Sequence, residues 1–351
     1  MNETEEITDS IVRSASVPAR AQRPAMPLRI LLAAPIALAL TLAIHFFISR
    51  NDPAPLQTPG PFKLMPWIES HAYVLLLSGA LSIFAAAAAV QLAWPGLRQW
   101  MRAMCPIFAA AFALLAVWEI ITDGLRLLPM PYFPGPAAVL QTLVEDRVLI
   151  FDGTWHSLIL LLVGYALGVA GGLVTGVCIG WFQSARYWGM PLLKVIGPIP
   201  ATAWIPLAMI VAPNPVLRAG GLIAISVWFP VTMLTISGIA NTRTSLLDVA
   251  RTLGARPGYL IFRVAIPAAM PSIFIGLFMG LGASFLTLLV AETVGVKGGL
   301  GWYIEWARTY AEYKKVFGAL VIMAAFFSTI MTLLFKVRDR VLVWQKGVIK
   351  W

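Results

Sequence analysis

The chain has 351 residues, of which 59% are hydrophobic and only 12% are charged, and its mean hydropathy is +0.82. Soluble globular domains carry about twice this fraction of charged residues, so the composition excludes an ordinary soluble protein. The formal net charge of +10 does not indicate nucleic-acid binding, because lysines and arginines gather in alternate loops between apolar segments rather than on a soluble domain.

Eight apolar segments are long enough to cross a bilayer, which takes roughly 20 helical residues. Three of them contain one ionisable residue inside or near an end: Ile30–Ile48 with His45, Cys105–Thr122 with Glu119, and Pro191–Ala212 with Lys194. Five contain no charge: Ala72–Trp94, Ser157–Phe182, Ala219–Ala240, Ala268–Ala291 and Val316–Phe335. Numbered one to eight in chain order, these spans predict an all-α integral membrane protein with about eight transmembrane helices.

Three regions are expected along the chain. Residues 1–27 are polar and lack a signal-peptide cleavage pattern, which predicts a disordered cytoplasmic tail. Residues 28–100 predict an N-terminal transmembrane hairpin, and residues 101–351 predict a six-helix core. With the N-terminus inside, the cytoplasmic loops hold sixteen Lys or Arg and the opposite loops hold nine. Because cytoplasmic loops carry the excess of these residues, both termini are expected in the cytoplasm.

Span four carries a glycine at every fourth position: Gly164, Gly168, Gly172, Gly176 and Gly180. This spacing places them in one ridge of a helix, where a second backbone can approach closely. Two interpretations stay open: a moving helix pair that lines a pathway, or static packing within the bundle. In span five, Trp204 beside Pro206 is a further candidate for lining the pathway.

The loop of residues 241–267 lies on the expected cytoplasmic side. Ser245, with Asp248 three residues later, resembles a capping box, and Gly254 predicts the end of a short helix. A second apolar segment then runs to Pro267, where span seven is expected to begin. A helix of about two turns is marginal in water, so we expect it to dock. Its apolar side chains are Leu246, Leu247, Ala250 and Leu253. The partner stays open between another subunit, this protein's own bundle and lipid headgroups.

The loop resembles a known family. Asp248-Val-Ala250, three residues, Gly254, nine residues and Val264-x-Ile266-Pro267 match the full spacing of the EAA loop in permeases of ATP-binding-cassette (ABC) importers. Asp248 replaces the usual Glu, and Val249 replaces the first Ala. Three more stretches resemble the nitrate, sulfonate, taurine and bicarbonate branch: Phe133-Pro-Gly-Pro136 with the residues up to 143, Ile196 to Pro206, and Ala291 to Gly295 followed by Gly299-Leu-Gly301. The likeness covers residues 128–340.

The resemblance implies a type I ABC importer permease, whose six-helix core forms the pathway for a small, anionic solute. It implies that the loop docks in a groove of a cytoplasmic ATPase through Asp248, Ala250, Arg251, Gly254, Ala255 and Pro267. The expected partners are an ATPase dimer that holds ATP and Mg²⁺, an extracytoplasmic solute-binding protein, a second permease copy and the bilayer of the bacterial inner membrane. The N-terminal hairpin lies outside the family pattern.

The chain itself shows no sign of catalysis. It contains no Gly-Lys pair and therefore no phosphate-binding loop. If transport is driven by ATP, the ATPase is therefore a separate polypeptide, and no cofactor is expected on the permease. The two cysteines and three histidines lack metal-ligand spacing, and no catalytic pairing of polar residues is found. The alternative function is a secondary transporter or channel that works without an ATPase.

Two acidic residues at span ends complete the candidates. Glu292, at the end of span seven, is interpreted either as a gating or binding-protein contact or as a carboxylate in water just past the helix. Glu119, at the end of span three, is expected in water. Aromatic residues between spans seven and eight predict an interfacial belt: Trp302, Tyr303, Trp306, Tyr310 and Tyr313.

Overall fold

A computed structural model describes residues 32–49, 71–90, 94–128, 131–294 and 296–344. Every regular element in these ranges is helical, which confirms the all-α class. The predicted tail of residues 1–27 and Gly295 of the resemblance lie outside the described residues. The described residues divide into two compact units, one ending at Leu127 and the other beginning at Leu128.

The first unit contains three helices. They are α1 (Ala33–Ser49), α2 (Ala72–Val90) and α3 (Pro95–Glu119), and α3 ends in a π-helical turn, Ile120–Gly124. The elements of the second unit are α4 (Pro136–Glu145), α5 (Arg147–Trp181), α6 (Gln183–Ile196), a 3₁₀ turn (Ala201–Trp204), α7 (Ile205–Val211), α8 (Pro215–Ala240), α9 (Thr244–Thr252), a helical turn (Pro257–Tyr259), a π turn (Leu260–Ala265), α10 (Ile266–Thr293), α11 (Leu300–Thr309) and α12 (Tyr313–Val341).

Helix α3 belongs to the first unit rather than to the core. Met101 of α3 is fully buried in an apolar cluster against which Phe84 of α2 packs. The Thr41 hydroxyl of α1 donates to the Phe112 carbonyl of α3 at 3.1 Å. These contacts place the division of the chain after Leu127, whereas the sequence analysis places it near residue 100.

The glycine ridge of α5 packs on a ridge of β-branched side chains on α8. The partners are Gly164 with Ile223, Gly168 with Val227, Gly172 with Val231, Gly176 with Thr235, and Gly180 with Ile239. A Cβ on any of the first four glycines would come within 2.8 Å of an atom of α8. The contact therefore requires glycine. Both residue series rise together, so α5 and α8 run parallel, and in this conformation the ridge serves as tight packing.

This parallel arrangement shows how span five crosses the membrane. Two parallel spans begin on the same side, so the chain between α5 and α8 must return across the bilayer. Helix α6 and the segment Ala201–Val211 meet the length and composition of a span only together, and they are bent by 87°. Pro200 lies in the break with extended backbone. Span five is therefore a broken crossing, as the prolines inside it allow.

Helix α8 lies between α5 and α10. A Cβ on Gly276 of α10 would lie 3.2 Å from the Val231 Cα, and one on Gly280 would lie 3.1 Å from Val227. The residue numbers run in opposite directions, so α8 and α10 are antiparallel. Six described helices are long and apolar enough to span a membrane, and the bent pair makes a seventh. The shorter apolar helix Ala33–Ile48 corresponds to predicted span one.

Candidate functional site

The predicted coupling helix is α9, and it ends in a Schellman turn. The Gly254 amide donates to the Arg251 carbonyl at 2.9 Å, and the Ala255 amide donates to the Ala250 carbonyl at 3.0 Å. These two bonds define the motif, which needs a residue in the left-handed region. Gly254 has φ +81°, a value that side chains with a Cβ rarely adopt. The spacing Ala250-x-x-x-Gly254-Ala255 thus encodes the end of the helix.

The start of α9 differs from the prediction. Its N-cap is Arg243, and no side chain caps the first turn, so the proposed capping box of Ser245 and Asp248 is wrong. Asp248 lies beyond the first turn, and its carboxylate pairs with Arg251 at 3.0 Å on an exposed face. Such an exposed pair contributes little to stability, so this charge is available to a partner.

Helix α9 is almost uncovered by the described residues. It buries none of its own side chains, and it contacts the π turn Leu260–Ala265. Val249 is 60% exposed and Leu253 is 82% exposed, whereas Leu247 and Ala250 are half-buried. Within the described part of the chain, the protein's own helices therefore do not cover the apolar face of α9.

A continuous helix leads from the loop into span seven. Pro257–Thr293 forms one apolar helix of 37 residues that contains the π turn. The Ile266 amide donates to the Ile261 carbonyl five residues back, and Pro267 follows directly. A wider turn gives room to the proline ring, which clashes with the carbonyl four residues back in a regular helix. The helix that contains span seven thus begins at Pro257, ten residues before Pro267, where the span is expected to begin.

Glu292 lies in the last turn of α10, and its carboxylate is enclosed by hydrogen bonds. Oε1 accepts from the Ser157 hydroxyl of α5 at 2.7 Å, and Oε2 accepts from the Gly301 amide at 2.7 Å. The Ser157 oxygen in turn accepts from the Leu300 amide at 2.9 Å. Leu300 and Gly301 begin α11, where free amides favour negative charge. The carboxylate and the hydroxyl therefore fasten α5, α10 and the start of α11 together.

Two glycines make this enclosure possible. Gly299 has φ +92°, and a Cβ there would meet the carboxylate of Glu292. A Cβ on Gly301 would lie 2.7 Å from the Leu289 carbonyl. In the sequence pattern, Glu292 thus supplies a carboxylate, and the segment Gly299-Leu-Gly301 forms the loop that covers it.

Both acidic residues are buried, so the expectation that Glu119 lies in water is wrong, and of the two interpretations of Glu292 the carboxylate in water is excluded. Glu292 and Glu119 are each 1% exposed. In the first unit, Glu119 of α3 bonds His45 Nδ1 of α1 at 2.5 Å and accepts from the Tyr73 hydroxyl of α2 at 3.2 Å. Each helix of that unit contributes one ionisable side chain to this cluster. Whether Glu292 gates a pathway stays a prediction.

The predicted aromatic belt is partly a buried cluster. The Tyr303 hydroxyl of α11 donates to the Asp146 carboxylate at 2.7 Å, and Lys315 Nζ lies 3.3 Å from the same carboxylate. Lys315 also lies over the Trp306 ring, 4.8 Å from its centroid. Burial raises the pKa of the Tyr303 phenol far above its ordinary value, and the Asp146 carboxylate raises it further. Tyr303 therefore stays a hydrogen-bond donor.

The remaining pathway candidates lie around the break in span five. Trp204 ends the 3₁₀ turn and packs against a core cluster that includes Leu161 and Ile223. Its indole Nε1 is buried without a hydrogen-bond partner among the described residues. Pro206 is exposed in the first turn of α7. No group of His, Cys, Asp or Glu in the described ranges could hold a metal ion.

Sequence reasoning missed Ser157 and Asp146. Ser157 lies 135 residues before Glu292, and Asp146 lies 157 residues before Tyr303, so neither partnership has a local signature. The available signals are weak. Ser157 is a single hydroxyl at the start of an uncharged span, and Asp146 is an acidic residue that precedes this span in the sequence.

Comparison with known proteins matches this chain to transport permeases. The family model described as binding-protein-dependent transport system inner membrane component matches residues 168–342. A permease named for aliphatic sulfonates transport, SsuC of Bacillus subtilis, is 31% identical over 216 residues, which are 60% of this chain and 77% of the relative. The taurine transport system permease protein TauC of Escherichia coli is 27% identical over 218 residues, which are 60% of this chain and 79% of the relative. A solved inward-facing structure of the MetNI methionine ABC transporter aligns with a TM-score of 0.49 and 18% identity, covering 56% of this chain and 97% of that one.

Proposed function

We propose that a separate cytoplasmic ATPase drives this chain through α9, because the chain belongs to the family of binding-protein-dependent transport system inner membrane components. Members of this family are permeases of ABC importers. The proposed cargo is a small anionic solute of the nitrate, sulfonate, taurine or bicarbonate type. The permease forms the translocation pathway, and the ATPase dimer holds ATP and Mg²⁺.

The exposed apolar face of α9 carries this proposal. Val249 and Leu253 lie uncovered on a helix of nine residues, which needs a partner to be stable in water. A helix laid into a groove is a common docking mode, with affinity from apolar anchors and orientation from flanking charges. Asp248, Arg251 and Arg256 supply those charges.

The packing of the core supports a route for the movement. Helix α9 contacts the π turn, which is continuous with α10. Helix α10 packs through Gly276 and Gly280 on α8, and α8 packs on the glycine ridge of α5. Contacts this close transmit displacement because packed helices resist compression. A shift of α9 would therefore move three spans as a connected set.

The solute class rests on the relatives. SsuC is named for aliphatic sulfonates and TauC for taurine, which is itself a sulfonate. Five predicted spans contain no charge, so neutral hydrogen-bond donors would have to line the pathway. An extracytoplasmic binding protein would then supply most of the selection, and a second permease copy would complete the pathway. In this arrangement both termini face the cytoplasm.

Site-directed crosslinking tests the docking. Val249→Cys and Leu253→Cys, in a background without Cys105 and Cys178, are expected to crosslink to a co-expressed ATPase in membranes. Thr309→Cys is the matched control, because Thr309 is also exposed but lies beyond the other end of α10. Crosslinks at neither α9 position, together with uptake that survives ATP depletion, would overturn the proposal in favour of an ATPase-independent transporter or channel.

A further inference from the structure

Two arginines at the start of α3 have no place in the transport scheme. Arg98 and Arg102 lie four residues apart, so they share one face of the helix. Each has a buried Nε that makes no hydrogen bond to any residue that the structure describes. Arginine stays charged at any ordinary pH, so a shielded N–H without an acceptor is costly. The pair therefore calls for an acceptor of negative charge.

The described part of the first unit does not supply a negatively charged acceptor for Arg98 and Arg102. Its acidic residues are Glu119 and Asp123, both at the opposite end of α3. At 1.5 Å of rise per residue, Glu119 is about 30 Å from Arg98 along the helix. Glu119 is moreover bonded to His45 and Tyr73. Within these described residues, the two positive charges have no carboxylate in reach.

The position of the pair points to the headgroup layer of a membrane. The apolar span of α3 runs from Gly96 to Gly124, so both arginines lie in its first two turns. Trp94 and Trp100 are exposed beside them, as is typical of an interface between membrane and water. Arg98 and Arg102 are both half-buried, as expected for arginines whose aliphatic stems lie along apolar surface near a membrane interface.

We propose that Arg98 and Arg102 form a binding site for a phosphate group, supplied by an anionic phospholipid of the surrounding membrane. Guanidinium forks bind phosphate through paired hydrogen bonds, which suits a headgroup phosphate better than a water molecule. Two arginines on one helix face engage the same headgroup. The site anchors the first unit at the membrane surface near Trp94 and Trp100.

Lipid binding to the purified full-length chain tests the site. Native mass spectrometry measures retention of phosphatidylglycerol against phosphatidylcholine, and thermal unfolding in detergent follows stabilisation by each lipid. Each Arg→Gln change should weaken phosphatidylglycerol binding roughly fivefold, since a surface arginine contributes about that factor toward anionic lipid. The double variant Arg98→Gln/Arg102→Gln should lose the preference over phosphatidylcholine.

Two further variants keep the test decisive. Arg98→Lys/Arg102→Lys retains the charge, so it should fold normally and bind phosphatidylglycerol more weakly than the wild type. Arg186→Gln removes an exposed arginine elsewhere and should leave lipid binding unchanged. Inorganic phosphate is titrated separately without lipid. Stabilisation by phosphate that depends on both arginines, with no preference of the wild type for phosphatidylglycerol over phosphatidylcholine, would overturn the lipid source. Equal retention of phosphatidylglycerol by the wild type and the double glutamine variant would overturn the site.

Discussion

Gly172 of α5 lies directly against Val231 of α8: a Cβ on Gly172 would be 2.8 Å from the valine Cβ. This contact is one of five with the same spacing, and each opposes a glycine with a β-branched residue. In a bilayer, where hydrophobic burial does not favour helix over lipid, such close packing is a main source of association energy.

Gly172→Ala is expected to destabilise the core, because the methyl group has no space and overpacking costs about 1–3 kcal/mol. The control is the neighbouring Gly171→Ala, whose Cβ would be 3.4 Å from Trp228, an ordinary contact. That change should be neutral or stabilising, since alanine favours helix over glycine by about 1 kcal/mol. Thermal midpoints in detergent compare the two. Equal midpoints would show that the ridge is loosely packed.

Gly254→Ala should weaken coupling while sparing the fold. The position has φ +81° with no atom within 4 Å of a Cβ, so backbone strain of roughly 1–2 kcal/mol acts without a clash. The end of α9 should fray, and solute-stimulated ATP hydrolysis should fall in a reconstituted complex. Gly258→Ala is the matched control, because its surroundings are equally open and its φ is not in the left-handed region. A similar loss in both variants would contradict the role of the Schellman turn.

The end of α9 was predictable from sequence and its start was not. Gly254 is a local signal, because a glycine after a short helix predicts a left-handed residue. Ser245 and Asp248 gave an equally local signal, yet the helix begins at Thr244 with Arg243 as its N-cap. No side chain caps the start of α9, so a search for capping residues could not locate it.

Long-range partners set the other limit. The spacing of the glycines predicted a ridge, but its partner on α8 lies 59 positions further along, as Gly172 and Val231 show. Glu292 was expected at a helix end, and its burial depends on Ser157, which lies 135 residues earlier. Pro200 and Pro206 in span five are a local signal for a bend, because proline interrupts a regular helix. The composition of Pro191–Ala212 does not predict how sharp this bend is, and the two halves meet at 87°.

Ser157→Ala should loosen the C-terminal end of α10. It leaves the Leu300 amide without its acceptor and the Glu292 carboxylate without one donor, at a cost of about 1–3 kcal/mol. Ser226→Ala is the control, because that hydroxyl donates to a carbonyl of its own helix at 2.7 Å. Its removal leaves no amide unsatisfied, so the midpoint should hardly change. Hydrogen exchange at the start of α11 should rise in the first variant alone.

His45→Leu should destabilise the first unit, because Glu119 then keeps only Tyr73 as a partner among the residues described around it. Leaving a buried carboxylate short of its partner costs several kcal/mol, roughly 3 or more. Adding Glu119→Leu should recover much of that loss, since an apolar pair leaves nothing unsatisfied. Thermal midpoints of the single and double variants test this. A double variant less stable than His45→Leu would contradict the account.

Tyr303 should make stability depend on alkaline pH. Burial and the Asp146 carboxylate raise the phenol pKa in the folded protein above the unfolded value of about 10. Below pH 10 both states hold the proton, and the stabilisation from Tyr303 is complete. Above pH 10 the unfolded state releases the proton while the folded state keeps it, so stability falls as the pH rises. The stability difference between wild type and Tyr303→Phe should therefore shrink as the pH rises above about 10, as measured by thermal unfolding in detergent. A difference that stays constant over this range would show that Tyr303 is not held protonated beside Asp146.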